Sequence, residues 1–248
     1  HEVLEQADWN HLEHLSQVTE SRAPLFGLDT EQAQQLAEAL KLVVTTPLGG
    51  LCEEALADLP VRDRLAELDF DPPLGDRGRA SLVADLAHAL SQHLLASDPL
   101  AAYPERLVRT EAAQATLKGF LTGSIDVVLK LPGGGFVVVD YKTNRLPVPP
   151  EQELSVEHYH PSAMAEAMMQ AHYPLQALLY CAALHRFLAW RLPGYCPEQH
   201  LGGVGYLFVR GMAGPGTPVV AGGRCGVFEW FPPAELVVEV SDLLGGGR

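Results

Sequence analysis

The sequence predicts one α/β domain built on a mixed sheet, and three observations carry that prediction. Helical apolar periodicity dominates the N-terminal part, a Val-rich hairpin follows it, and a long helix and a further strand come after the hairpin. At 248 residues the chain can bury one sizeable core, and its length does not demand two domains. Hydrophobic residues make up 47% and charged residues 19%, an ordinary balance for a globular protein.

Taken in order, Leu4, Ala7, His11/Leu12 and Leu15 recur at helical spacing and predict a helix over residues 1 to about 18. Asp29-Thr30 caps a second helix from Glu31 to about Val44, which Pro47 and Gly49-Gly50 break. Arg64–Phe70 reads as extended and ends at Pro72-Pro73. Residues 79 to about 95 carry Leu82, Val83, Leu86, Leu90 and Leu94 on one amphipathic stripe. Residues 117–131 and Phe136–Lys142 are rich in β-formers and flank Pro132-Gly-Gly-Gly135, a turn composition. After a proline-rich exit at residues 146–150, the segment to His172 reads as loop with a short helix at residues 163–170. A helix at 175–192, a strand at 201–210 opening on glycines, a strand near Val227–Trp230 and a closing helix over 233–244 complete the chain, with no internal repeat.

Composition excludes several functions. The longest apolar runs, such as Phe136-Val-Val-Val139, are too short to span a bilayer, and no charged-then-apolar leader points to secretion. The chain begins at His1 rather than Met and is read as a piece of a longer protein. Cys52, Cys181, Cys196 and Cys225 form no CxxC pair, which argues against a zinc ribbon or an iron–sulfur cluster and suits a cytoplasmic protein. Seventeen basic against thirty-one acidic residues give a net charge of −14, whereas a free-standing nucleic-acid binder is usually basic. This charge counts against independent, tight DNA binding and points to partner domains that hold the DNA.

The chemistry concentrates in Gly123-Ser-Ile-Asp126 and Val-Val-Val-Asp140-Tyr-Lys142-Thr-Asn144. Side chains alternate along a strand, so Asp140 and Lys142 share a face. A three-residue loop at 132–134 pairs Lys130 with Phe136 and, by extension, Asp126 with Asp140 on that face. A two-residue Gly-Gly turn would put Asp126 on the wrong face. A metal site therefore predicts an odd-length loop, with glycine at its left-handed position. Two close carboxylates repel unless a cation neutralises them or one takes a proton, and oxygen ligands of this kind favour Mg²⁺ or Mn²⁺. A lysine on the same face can stabilise charge on a phosphate or orient an attacking water. The competing reading is a solvated Asp–Lys pair on a polar hairpin face.

At these residues the sequence resembles the PD-(D/E)XK nuclease superfamily, and within it the C-terminal nuclease domains of RecB-type helicase–nucleases. Gly123-Ser-Ile-Asp126 and Asp140-Tyr-Lys-Thr-Asn144 match its site motifs. His172-Tyr-Pro-Leu-Gln176 with Tyr180, Gly202-Gly-Val-Gly-Tyr206-Leu-Phe-Val-Arg210-Gly211, Glu67-Leu-Asp-Phe70, and His1-x-x-Leu-Glu5-x-x-Asp-Trp9 match further segments in order. The resemblance implies a mixed central sheet flanked by helices, in a single domain (residues 1–248) at the C-terminus of a longer helicase–nuclease. It also implies Mg²⁺-dependent hydrolysis of DNA phosphodiesters by an activated water, with Mn²⁺ able to substitute. His1, Asp126, Asp140 and the Tyr141 carbonyl would ligate the metal, Lys142 would be catalytic, and Gln176 and Tyr180 would support the site or contact phosphate. The implied partners are single-stranded DNA from unwound duplex, RecC-like and RecD-like subunits, and a RecA-type recombinase, with location at the nucleoid. No Gly-x-x-x-x-Gly-Lys-Ser/Thr motif occurs, so an ATP site is not expected here.

Other features have plainer readings. His11 and His14 read as solvated helix residues, and His158 and His160 as surface residues of a Pro-flanked loop. Gly202 and Gly203 open a strand rather than a helix and are assigned to packing rather than phosphate binding. Arg210 either touches a DNA backbone or is structural. Two further functions stay open. One is a catalytically idle module that docks a recombinase or partner subunit; the other is an iron–sulfur branch of the nucleases, which the cysteine spacing disfavours.

Overall fold

A computed structural model of the chain describes all residues except 72, 75–82, 116–118, 121 and 246–248. The helices are α1 (Glu2–Gln6), α2 (Leu12–Arg22), α3 (Thr30–Val44), α4 (Val83–His93), α5 (Tyr103–Val108), α6 (Pro161–Gln170), α7 (Tyr173–Arg191), α8 (Pro197–His200) and α9 (Ala234–Leu244). The strands are β1 (Arg64–Phe70), β2 (Pro73–Leu74), β3 (Gly119–Phe120), β4 (Gly123–Lys130), β5 (Phe136–Lys142), β6 (Leu201–Phe208), β7 (Val219–Val220), β8 (Gly223–Arg224) and β9 (Val227–Trp230). The main sheet runs β1-β4-β5-β6-β9, with β5 and β6 parallel and the other neighbours antiparallel. This is the expected mixed sheet flanked by helices. Among the described residues, no helix is long and apolar enough to cross a membrane.

Helices cover both faces of the sheet, which explains why β5 reads as an unbroken apolar run. Val137, Val139 and Tyr141 pack with Leu4, Trp9, Leu15 and Val44 of the N-terminal layer. Val138 points the other way, into a core with Leu86, Met168, Leu178, Tyr206 and Leu236. Each fully buried Val side chain contributes on the order of 1.5–3 kcal/mol of transfer free energy, so β5 anchors both cores.

The hairpin has the predicted odd loop. Leu131 N–H donates to the Gly135 carbonyl at 2.8 Å, and Gly134 takes φ +88°. Pairing then runs from Lys130–Phe136 to Val127–Val139. The ladder stops there, one pair short of Asp126–Asp140. Across the sheet, β1 pairs with β4 on both sides of Glu67–Asp126 but not at that position, where Glu67 has φ +52°. The side-chain alternation reverses at this break. Val127 and Leu129 pack into the N-terminal layer and Val128 opposite; Ile125, which should share their face, instead joins the Val128 side.

Several expectations need correction. Residues 1–18 form two helices, because Ala7 is extended and the buried Trp9 indole donates to the Leu4 carbonyl at 2.8 Å, ending α1. Asn10 then anchors the turn by donating to the carbonyls of Ala57 and Leu59. The second helix has its expected cap: Asp29 accepts from Gln32 N–H, and the Gln32 side chain returns to Asp29 N–H. The segment before His172 is more regular than a loop, since α6 begins at Pro161, with Pro at the helix start and His160 as N-cap. His158 likewise accepts from Ser155 N–H, so both are half-buried capping residues rather than surface ones. His11 and His14 are exposed and interact with Asp8. The starts of the helix predicted from residue 79, including Leu82, and of the strand predicted from residue 117 lie outside the described residues.

Candidate active site

The candidate residues gather where the β4–β5 pairing stops, toward the C-terminal end of β5, between α1 on one face of the sheet and α7 on the other. Asp140 is 2% exposed, and its Oδ2 lies 2.6 Å from Lys142 Nζ. That contact joins the buried carboxylate directly to the ammonium. Burial, opposed by the attraction of Lys142 and reinforced by Asp126, pushes the Asp140 carboxyl up to about 6. A buried carboxylate in this state suits a cation, whose charge would offset the cost of keeping it ionised.

Asp126 belongs to the same junction. Its Oδ2 accepts the Tyr141 backbone N–H at 3.0 Å and lies 3.2 Å from His1 Nδ1. Burial raises its pKa, but the hydrogen bonds from His1 and Tyr141 and the charges of His1 and Lys142 outweigh that and hold the carboxyl below its usual value. The bond to Asp126, against desolvation, raises His1. Helical spacing brings Glu5 onto the His1 face of α1, and ligand atoms of His1, Glu5 and Asp126 lie within 4.8 Å of one another. Glu5 is raised by partial burial and by the nearby carboxylates of Asp126 and Glu67. The sequence reading gave Glu5 no role, although its i, i+4 spacing from His1 was the available signal.

Lys142 Nζ donates to Gln176 Oε1 at 3.2 Å, and Gln176 Nε2 donates to Tyr180 OH at 2.8 Å. The expected i, i+4 pair on α7 is thus in place. The predicted set therefore divides into His1 with Asp126, and Asp140 with Lys142, Gln176 and Tyr180. Tyr141 N–H joins the two halves, while its side chain is buried away from Asp140 and Lys142. Tyr173 and Tyr206, also passed over at the sequence level, present ring faces 4.0 Å and 5.1 Å from Lys142 Nζ. Arg210 is exposed and its Nε donates to the Thr143 carbonyl at 2.9 Å, a structural bond next to the site. Gly203 has φ +103°, and a Cβ there would meet Trp230 O at 2.9 Å, so packing accounts for this glycine.

A mixed sheet carrying Asp140-x-Lys142 at the end of a central strand, with a second carboxylate beside it, defines a PD-(D/E)XK-type site. A family model described as the PD-(D/E)XK nuclease superfamily matches residues 10–223. The chain belongs to that superfamily. It is 48% identical over 260 residues to RecBCD enzyme subunit RecB of Mycobacterium tuberculosis, with all of this chain and 23% of the relative aligned. The corresponding protein of Mycolicibacterium smegmatis is 47% identical over 98% of this chain and 23% of its own length. That of Escherichia coli is 30% identical over 99% of this chain and 19% of its own. The chain thus spans less than a quarter of these relatives and matches their C-terminal region.

Proposed function

We propose that this domain hydrolyses DNA phosphodiester bonds, chiefly in single strands and with Mg²⁺, as the nuclease module of a RecB-type helicase–nuclease in double-strand break repair. The observation that carries the proposal is the junction of Asp126, Asp140 and Lys142 around the Tyr141 backbone, at the end of a strand buried on both faces. The donor set fits a hard divalent cation: several carboxylate oxygens, among them the buried Asp140, and one imidazole. His1, Asp126, Asp140 and the Tyr141 carbonyl would hold it, with Glu5 offering a further carboxylate; Mn²⁺ would substitute. When bound, a cation there would supply Lewis acidity. Lys142 contributes a fixed positive charge for the phosphate or the attacking water, and Gln176 and Tyr180 keep it extended.

The test is cleavage of labelled single-stranded DNA with Mg²⁺ or EDTA, beside Lys142→Ala. Metal-dependent cutting that the variant loses supports the proposal; equal cutting by the variant sinks the site assignment. The net charge of −14 favours a second reading, in which the domain docks a RecA-type recombinase or RecC-like and RecD-like subunits without cutting. Recombinase binding that survives loss of Asp126 and Asp140, in a protein that never cuts, would support that reading. The nuclease role would put the protein with DNA at the nucleoid.

A further inference from the structure

Lys142 is enclosed to an unusual degree for a lysine. It is 9% exposed, and its ammonium meets Asp140 Oδ2, Gln176 Oε1 and the faces of Tyr173 and Tyr206. The two rings are 5.7 Å apart and stacked, with an interplanar angle of 21°. They come from different elements. Tyr173 opens α7, while Tyr206 lies on β6 directly beside Asp140 in the parallel register. Same-register residues of neighbouring strands share a face, so Tyr206 is delivered beneath the lysine by the sheet itself.

The Tyr206 hydroxyl gives the arrangement a direction. It is fully buried, and its one proton has two acceptors in reach, the nearer Gln176 Oε1 at 3.0 Å and the Tyr173 carbonyl at 3.3 Å. Gln176 Oε1 thereby accepts from both Tyr206 and Lys142, while its Nε2 donates to Tyr180. A flipped amide would set an N–H against the ammonium, two donors facing each other, so Tyr206 shares with Lys142 the holding of the Gln176 carbonyl toward the lysine.

Resting on the nuclease reading above, we propose that Tyr206 and Tyr173 are positioning residues for Lys142: Tyr173 through its ring face, Tyr206 through the hydroxyl that orients Gln176. The need for them follows from the double use of Asp140. A carboxylate engaged with a cation attracts the ammonium less, and Lys142 must then hold its place without it. Aromatic faces and an amide carbonyl attract a cation without neutralising it, which leaves the charge available for phosphate.

The two residues separate by substitution. Tyr206→Phe keeps the ring and removes the donor; it should lower kcat by about ten- to a hundredfold, the scale of a small misplacement of a catalytic group. The KM for single-stranded DNA and the calorimetric Mn²⁺ affinity should both stay within about twofold. Tyr173→Phe keeps the ring and loses only the hydroxyl's bonds to Asn144, so it should lose clearly less kcat than Tyr173→Leu. In the metal-free protein, the side-chain amide NMR signals of Gln176, recognised by their absence in Gln176→Glu, should move in Tyr206→Phe and stay put in Tyr173→Phe. Wild-type kcat in Tyr206→Phe, or equal activity of Tyr173→Phe and Tyr173→Leu, overturns the proposal. The NMR arm needs no cleavage: if no form of the domain cuts DNA, an unmoved Gln176 signal in Tyr206→Phe overturns it and a shifted one upholds the orientation by Tyr206.

Discussion

The carboxylate of Asp126 takes the backbone N–H of Tyr141 at 3.0 Å, a group that the hairpin ladder would otherwise have given to the Ile125 carbonyl. The alternation of narrow pairs, counted from Leu131–Gly135, makes Ile125–Tyr141 the next partners after Val127–Val139. A side chain replaces one rung of the sheet. That substitution ends the pairing and fixes Asp126 one residue from Asp140.

Asp126→Ala should leave the Tyr141 N–H without a partner and destabilise the protein by about 1–3 kcal/mol, measured by urea unfolding. Asp126→Asn keeps an oxygen acceptor and should stay within about 1 kcal/mol of the wild type, because the ladder capture survives. Both should lose cleavage, since neither offers an anionic ligand. A stable, fully active Asp126→Ala would contradict both roles at once.

The pH dependence of stability should have an uncommon sign around Asp140. Its folded pKa of about 6 lies above the value of about 3.9 expected in the unfolded chain, so between these values the folded state holds the extra proton. Stability of the metal-free protein therefore falls as pH rises through that window, by up to about 3 kcal/mol from this group. Asp126, whose pKa is lowered, acts in the opposite sense, so the comparison must be with Asp140→Asn. Unfolding free energies at pH 4 to 7 should decline less steeply in Asp140→Asn; identical slopes would refute the assignment.

Glu5→Gln should weaken Mn²⁺ binding by about tenfold, read by calorimetry, because it removes one of three ligand atoms within 4.8 Å of one another. Unchanged affinity would place Glu5 outside the site.

Tyr141→Phe should be neutral or stabilising by about 1 kcal/mol. The Tyr141 hydroxyl is buried without a hydrogen-bond partner, and an unmet polar group of this kind costs about 1–3 kcal/mol. Cleavage should persist, since the proposed ligand is the backbone carbonyl. A marked loss of stability would reveal a partner for that hydroxyl.

The sequence carried much of this arrangement for identifiable reasons. The Pro-Gly-Gly-Gly turn determines the loop, the loop determines the register, and the register puts Asp140 and Lys142 beside Gln176 once α7 crosses that face. Asp29 and Gln32 announced the start of α3 because capping is a local interaction. Legibility failed where a third element intervened. The direct opposition of Asp126 and Asp140 depended on β1, whose Glu67 adopts a left-handed conformation that no pattern within the hairpin reveals. The split of the first helix depended on Trp9 finding a carbonyl in its own preceding turn and a place in the core. The roles of Tyr173 and Tyr206 required knowing that α7 and β6 meet over one lysine.

The ligand set has a mechanical consequence. In the proposed ligand set, His1 caps and Glu5 belongs to the short helix α1 of the N-terminal layer, while Asp126 and Asp140 belong to the sheet beneath it. An ion held by both would act as a clasp, resisting the peeling of that helix from the strands and slowing protease attack at the connection between α1 and α2. The chain would then fray first at its own reaction centre when stripped of metal, and resist digestion there when loaded.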